Sequence, residues 1–195
     1  MKNNLIKIIL AACLFSFQLG HSQYKNEREH RILKSQFPAA AIVNINENVS
    51  DFKRIKFYKE TDSTIISYEA KLKKDKLWYG IEFDEEGTLE AIEILIKVTD
   101  IPNDTYDKIT GYLNNNFAKY KIRKLKQQYP SNNEAVGETF KNAFQNLILP
   151  SNNYQVVIAD KTDKGSIDYE ILFDADGNFK KSKTSLPPNY DHVLY

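Results

Sequence analysis

The sequence predicts an α+β protein built from two tandem copies of a helix packed on an antiparallel β-meander, with an extra helix inserted in the second copy. Three observations support this prediction. Apolar and polar residues alternate with period two over many short segments, three other segments show helical spacing, and one set of residues recurs at a constant offset. Tyr and Phe number 12 and 11 of 195 residues whereas Gly numbers 7, a balance typical of sheet-rich domains.

The N-terminus has the pattern of an export signal. A short positively charged start is followed by an apolar run over residues 8–19 and by small residues up to Ser22. This predicts a signal peptide at 1–22, cleaved between Ser22 and Gln23. The apolar run is shorter than the roughly 20 residues that a membrane-spanning helix needs. We therefore expect a mature protein without a transmembrane segment, in the periplasm or secreted.

Lipidation is the alternative, because Leu10-Ala11-Ala12-Cys13 matches a bacterial lipobox. The apolar stretch before Cys13 is short and interrupted by Lys7, and apolar residues continue after it, so cleavage after Ser22 uses the run better. On the favoured interpretation the mature chain has no cysteine, which excludes disulfides, thiol nucleophiles and thiolate metal sites.

The mature chain has a balanced charge. Removal of residues 1–22 takes two lysines and leaves 25 basic and 26 acidic residues, a net charge of −1. This balance gives no indication of nucleic acid or lipid headgroups as partners.

The first half is predicted to begin with a helix over 26–37, because apolar residues fall at helical spacing and Pro38 follows. Five extended segments come next, at 41–45, 52–58, 64–73, 76–84 and 89–98. The third and fourth alternate strictly, which predicts strands with one buried face.

The second half repeats this plan with one addition. Asp104 is a plausible N-cap for a helix after Pro102, and apolar residues at three-and-four spacing predict the inserted helix at about 132–149. The tail from 187 to 195 has two prolines and no periodicity, so we expect it to be irregular. The predicted strands are 119–128, 154–159, 166–174 and 178–183.

The repeat itself is most visible at an offset of 90 residues, at which Tyr79, Ile81, Phe83, Asp84, Gly87 and Leu89 correspond to Tyr169, Ile171, Phe173, Asp174, Gly177 and Phe179. A second set at an offset of 80 pairs Leu33, Phe37, Ile42 and Ile45 with Leu113, Phe117, Ile122 and Leu125. These offsets divide the mature chain into a first copy at 23–101 and a second copy at 102–186.

Two short motifs resemble those of exported bacterial PepSY-like proteins. Phe83-Asp84-Glu85-Glu86-Gly87 and Phe173-Asp174-Ala175-Asp176-Gly177 resemble that family's F-D-x-x-G hairpin, and Ser35-Gln36-Phe37-Pro38-Ala39-Ala40 resembles its opening. The resemblance implies an architecture similar to beta-lactamase inhibitory protein, and binding or inhibition rather than catalysis. It brings no catalytic residues and no cofactor. The second copy departs from the pattern, with Ala118 at the place of Pro38.

The hairpin residues Asp84, Gly87, Asp174 and Gly177 are interpreted as structural turn residues. Asp can bond a backbone N–H in a tight turn, and Gly supplies a positive φ. A metal interpretation of Asp168, Asp174 and Asp176 is weaker, because an EF-hand loop needs further ligands where lysines follow here. We therefore predict no metal site.

No enzyme motif is present in the sequence. The mature chain has two histidines, His30 and His192, which are far apart and have no metal-ligand partner at short spacing. Neighbouring carboxylates such as Glu85 and Glu86 are unremarkable among 26 acidic residues. We therefore expect no enzymatic activity.

A binding face is predicted from the alternation. If the apolar residues of 76–84 face the helix, then Trp78, Gly80 and Glu82 face outward, with Glu69 and Lys71 beside them. Trp78 is the single tryptophan, and Gly80 is expected to leave room for a partner. The opposite interpretation is that Trp78 is covered by the second copy or by a loop.

We expect a non-enzymatic module that binds or inhibits a protein partner. The alternative is a protein that binds a small ligand or cell-envelope component in a cleft between the copies, and a remote alternative is a hydrolase using scattered carboxylates. The inserted helix is expected to pack on the core, with docking of a partner as its alternative.

Overall fold

The computed structural model describes residues 27–185 apart from 51, 53, 63, 64, 132–134 and 164. The predicted signal peptide at 1–22, the lipidation alternative at Cys13 and the tail at 187–195 lie outside the described residues. The described residues form one antiparallel sheet of nine strands, which lie side by side in the order of the sequence.

The strands are β1 Glu27–Ile32, β2 Ile55–Asp62, β3 Ile65–Lys74, β4 Leu77–Phe83, β5 Leu89–Leu95, β6 Tyr120–Pro130, β7 Asn153–Thr162, β8 Gly165–Asp174 and β9 Phe179–Ser185. The α-helices of the described residues are α1 Ala39–Asn48, α2 Asn103–Asn116 and α3 Val136–Phe144. Short 3₁₀ helices at Lys34–Gln36 and Val98–Asp100 precede α1 and α2.

The core lies between one face of the sheet and the helices. Tyr79, Ile81 and Phe83 of β4 are buried, and they share the core with Ile45 of α1 and Ile109 of α2. Every second residue of the central strands therefore meets a helix, as the alternation predicted. The predicted α+β class with an antiparallel sheet is confirmed.

Strands β5 and β6 join the two halves of the chain into one continuous sheet. They pair antiparallel, with Ala91 opposite Pro130 and Leu95 opposite Lys126. Helix α2 and its flanking turns form the connection between these strands.

The helix predicted at 26–37 is wrong, because the chain forms β1 and then a 3₁₀ turn at Lys34–Gln36. Strand β1 pairs only with β2, as the edge of the sheet. It is rich in charged residues, as edge strands often are, and its polar sequence hides the period-two signal. Its partner is over 20 residues away, so local spacing misled the prediction.

The strand predicted at 41–45 is also wrong, because these residues belong to α1. Ala41, Ile45 and Val49 recur every four residues and are all buried, so the helical period dominates over the β-branched composition. The correspondences at an offset of 80 fail here for the same reason: Ile42 lies in a helix and Ile122 in a strand.

The other predicted elements are confirmed with shifts of a few residues at their ends. The inserted helix is shorter than the predicted 132–149, since α3 ends at Phe144. The N-cap of α2 is Pro102 rather than the predicted Asp104, which lies in the first turn.

Candidate functional site

The face of the sheet opposite the helices gathers the predicted binding residues. Pairing of β3 with β4 places them side by side, in the pairs Glu69–Glu82, Lys71–Gly80 and Lys73–Trp78. The structure thus brings together all five residues that the alternation selected on this face.

This face is concave. Glu60 of β2 and Lys181 and Lys183 of β9 line one cleft of about 300 Å³. In a flat sheet, strands β2 and β9 would be about 34 Å apart, given the spacing of neighbouring strands. The sheet therefore curls until its two ends approach across the face, which we call the concave face.

The cleft is acidic. Two lysines line it, Lys181 and Lys183, together with five carboxylates, which are Glu60, Glu69, Glu82, Glu90 and Glu170. A face that curls inward takes its side chains out of water, so these carboxylates lose part of their hydration.

An ion-paired group occupies the end of the concave face near β1. Lys71 Nζ contacts the carboxylates of Glu29 and Glu69, the latter at 3.0 Å. Carboxylate oxygens of Glu29, Glu60 and Glu69 lie within 4.8 Å of one another, a spacing that would suit a metal ion. The ammonium of Lys71 already supplies the positive charge between two of them, so this group is an ion pair within the fold.

A second buried ion pair lies on β5 and β6. The carboxylate of Glu93 is 2% exposed and contacts Lys126 Nζ. Gln128 Nε2 donates a hydrogen bond of 3.3 Å to Glu93 Oε1. Burial opposes the charge on Lys126, but the carboxylates of Glu93, Glu69 and Glu82 hold its pKa well above its usual value.

Glu82 lies between these two pairs and is held by neither. It forms no hydrogen bond or ion pair within the described part of the chain. Burial raises its pKa well above the usual value, and the neighbouring Glu93 carboxylate raises it further. Glu82 is thus a half-buried carboxylate whose charged form carries a cost of desolvation without a partner among the described residues.

Gly80 does not leave room for a partner, contrary to the sequence-based expectation. A methyl group on Gly80 would overlap Glu69 Oε1 from the neighbouring strand. The space is therefore filled by the Glu69 side chain, which lies over the Gly80 backbone and is held there by Lys71. Burial raises the pKa of Glu69, and Lys71 opposes that rise.

Trp78 is neither fully open nor fully covered. It is half-buried on the concave face, and Lys73 Nζ lies 5.4 Å from the centre of its ring. The indole therefore has a cationic neighbour in the free protein, at a distance typical of cation–π contacts.

Three residues of β7 and β8 line the same cleft and were not selected from the sequence: Gln155, Glu170 and Leu172. Glu170 contacts Lys183 of β9 at 3.2 Å. Gln155 Oε1 is buried and has no hydrogen-bond partner among the described residues. The alternation in β8 between Tyr169, Glu170 and Ile171 contained the signal, but only strand order shows that both halves share one cleft.

The two F-D-x-x-G hairpins have matching turns, and none of their residues lines the cleft. Gly87 and Gly177 have φ of +86° and +84°, and their amides donate to the carbonyls of Asp84 and Asp174 at 3.1 and 3.0 Å. Burial is the largest single influence on the pKa of Asp174 and raises it, but hydrogen bonds from Asn178 and Asp176 together bring that pKa below its usual value. The Asp84 side chain accepts one backbone N–H in its own turn, and that of Asp174 accepts two.

Two further observations bear on the wider function. His30 lies exposed on β1, whereas His192 is outside the described residues. Among the helices that the structure describes, none has the length and apolar character required to cross a bilayer.

Comparison with known proteins identifies the fold. No family model matches the chain, and no curated protein matches its sequence. A DUF2874 family protein from Bacteroides uniformis matches with a TM-score of 0.52 at 10% identity, covering 76% of this chain and 89% of that one. Another from Bacteroides ovatus matches with a TM-score of 0.50 at 11% identity, covering 80% and 93%.

A BLIP-like protein from Bacteroides fragilis gives a TM-score of 0.49 at 12% identity, covering 80% of this chain and 92% of that one. The first two structures show that the chain shares its fold with DUF2874 family proteins. The resemblance to PepSY-like proteins stays a prediction from the sequence motifs.

Proposed function

We propose that this chain is an exported, non-enzymatic module that binds or inhibits a protein partner in the periplasm or cell envelope through the concave face. The observation that carries the proposal is the composition of the concave face. It is built from strands of both halves, and it gathers buried charges and the single tryptophan opposite the helix-covered core. Buried charged groups and aromatic anchors are the elements from which specific interfaces derive their energy.

The non-enzymatic part of the proposal is supported by ion pairs that engage three carboxylates of the face. Glu69 is paired with Lys71, Glu93 with Lys126 and Glu170 with Lys183. A carboxylate pair for hydrolysis would need one free acid and one free base facing the same bond. Export is supported by the N-terminal pattern of charge, apolar run and small residues.

The proposed module consists of two related copies. The hairpins around Gly87 and Gly177 support this, since each packs its glycine against the first turn of a helix, at Ala41 and at Thr105. Similar openings at an offset of 64 support it too, because α1 and α2 each follow a 3₁₀ turn and a proline, Pro38 and Pro102. This offset replaces the offset of 80 as the correspondence between the two openings.

A small ligand or envelope fragment is the second candidate, favoured by the cleft between Glu60, Glu69 and Glu82 of one half and Gln155 and Glu170 of the other. A volume of about 300 Å³ is at the lower end of small-molecule sites. A saturable rise in melting temperature with one envelope fragment would favour this function.

The proposed function is tested by affinity capture from periplasmic extract with the mature wild type and Trp78→Ala. The matched control is Val43→Ala, an exposed apolar residue of α1 on the opposite layer. We expect a captured protein that is lost with Trp78→Ala and retained with Val43→Ala. Identical capture by the wild type and Trp78→Ala would contradict the use of this face.

A further inference from the structure

We infer that the cleft of the concave face accepts a cationic side chain, an arginine or lysine, presented by the protein partner, and that Glu82 is its acceptor. This inference rests on the proposed function and gives the partner a chemistry. Three observations support it. The neighbouring carboxylates Glu69 and Glu93 are paired with lysines, Gln155 is a second acceptor without a partner among the described residues, and more acidic than basic residues line the cleft.

Glu82 differs from the neighbouring carboxylates of the face, because they form ion pairs and it does not. Across the strand pairs, Glu69 is held by Lys71 and Glu93 by Lys126. Glu82 shares their face and is half-buried, yet no described side chain donates to it. An unpaired charge removed from water is costly, whereas a cation brought to it by a partner makes a charge-assisted hydrogen bond.

Gln155 supplies the second acceptor. Its Oε1 atom is buried in the described structure without a donor, and it lines the same cleft as Glu82 from the other half of the sheet. Buried acceptors without donors are rare in native proteins, because each forfeits its bond to water. A guanidinium group has five N–H donors in one plane, so an arginine in the cleft can donate to a carboxylate or to an amide oxygen of its lining.

The charge of the cleft favours a cation over any other occupant. Five carboxylates and two lysines line it, Lys183 is paired with Glu170, and the nearby Lys126 is paired with Glu93. The excess of negative charge attracts a basic side chain and repels an acidic one. Such complementarity selects partners and accelerates their association more than it adds affinity.

The test uses a peptide with one arginine, acetyl-Ala-Arg-Ala-amide, titrated into the isotopically labelled mature protein and followed by backbone amide NMR at low salt. The matched probe replaces arginine by citrulline, which keeps the shape and removes the charge. We expect shifts confined to strands around Glu82 and Gln155, with binding at least tenfold weaker for the citrulline peptide.

Variants complete the test. Glu82→Gln is expected to weaken arginine-peptide binding at least tenfold, whereas Glu86→Gln, an exposed carboxylate in the following turn, is expected to leave it unchanged. Gln155→Met removes the other acceptor without touching a charge and is expected to weaken binding severalfold. It also keeps the test valid should Glu82→Gln not fold.

Equal binding by the wild type, Glu82→Gln and Gln155→Met, or shifts scattered over the surface, would overturn the inference. If a partner is captured in a Trp78-dependent manner but the arginine peptide does not bind, the inference fails and the proposed function stands. If the peptide binds as expected and capture does not depend on Trp78, the proposed function fails instead.

Discussion

The carboxylate of Glu69 occupies the space above Gly80 on the neighbouring strand, where any larger residue would place its Cβ. Lys71, directly opposite Gly80 in the sheet, holds that carboxylate at 3.0 Å. The glycine therefore allows a buried ion pair to lie flat on the sheet, and the three residues act as one unit.

Gly80→Ala is expected to destabilise the protein by about 1–2 kcal/mol, because the methyl group displaces Glu69 from Lys71. Denaturant unfolding measures the change. The control is Gly111→Ala in α2, where a Cβ meets nothing within 4 Å and a gain of about 0.5–1 kcal/mol is expected.

A double-mutant cycle separates this contact from a general preference for glycine. In a Glu69→Ala background the space above Gly80 is empty, so adding the methyl group is expected to cost little. An equal cost of Gly80→Ala in both backgrounds would contradict the arrangement.

Much of the fold was predictable from the sequence because its central strands bury one face. In β4, alternation indicates which residues meet the helices and which, such as Trp78, Gly80 and Glu82, lie on the other face. The alternation failed at β1, because its charged residues do not alternate with apolar ones. It also failed at α1, because the β-branched residues there favour a strand, although Ala41 and Ile45 lie on one face of a helix.

The candidate site was predictable only in part, since curvature is a property of the whole sheet. The residues of β3 and β4 were found because they are neighbours in sequence. Gln155 joins them only when eight strands, β2 to β9, curl around one cleft. The Glu69 side chain fills the space above Gly80 because of its rotamer, and a local sequence pattern does not determine a rotamer.

Glu82→Gln is expected to stabilise the protein at pH 7 by about 1–2 kcal/mol, because it replaces a carboxyl group whose charged form is desolvated and unpaired. Burial is the main cause of the raised pKa of Glu82; Glu93, Glu69 and Glu60 add repulsion, which Lys126 offsets in part. Chemical unfolding at pH 7 measures the difference, and a less stable variant would contradict the lack of a partner.

The pH dependence follows from the raised pKa of Glu82. The folded state holds its proton more tightly than the unfolded state, so stability is lost as pH rises through the folded pKa and is regained on acidification toward pH 5. The wild type is therefore expected to gain more on this shift than Glu82→Gln. Parallel stability curves for the two proteins would rule this out, and Glu86→Gln is expected to follow the wild type.

Lys126→Ala is expected to cost about 2–4 kcal/mol, because Glu93 would be left as a buried carboxylate with Gln128 as its remaining donor. The matched control is Lys141→Ala, whose pair with Glu138 is exposed on α3 and is expected to contribute less than about 0.5 kcal/mol. Similar losses for the two variants in denaturant unfolding would show that the Glu93 pair is no more buried in solution than a surface pair.

The turn glycines test whether the two halves use the same joint between hairpin and helix. A Cβ on Gly87 would lie 2.9 Å from Ala41 N, and one on Gly177 would lie 2.5 Å from Thr105 O. Both also have positive φ, so each alanine variant combines backbone strain with a clash and is expected to lose about 2–4 kcal/mol.

Gly165→Ala isolates the strain, because the φ of Gly165 is +132° and nothing lies within 4 Å of the added Cβ. Thermal and denaturant unfolding are expected to rank Gly87→Ala and Gly177→Ala together and Gly165→Ala clearly milder. A large loss at only one of the two hairpins would mean that the helices are joined to the sheet differently in the two halves.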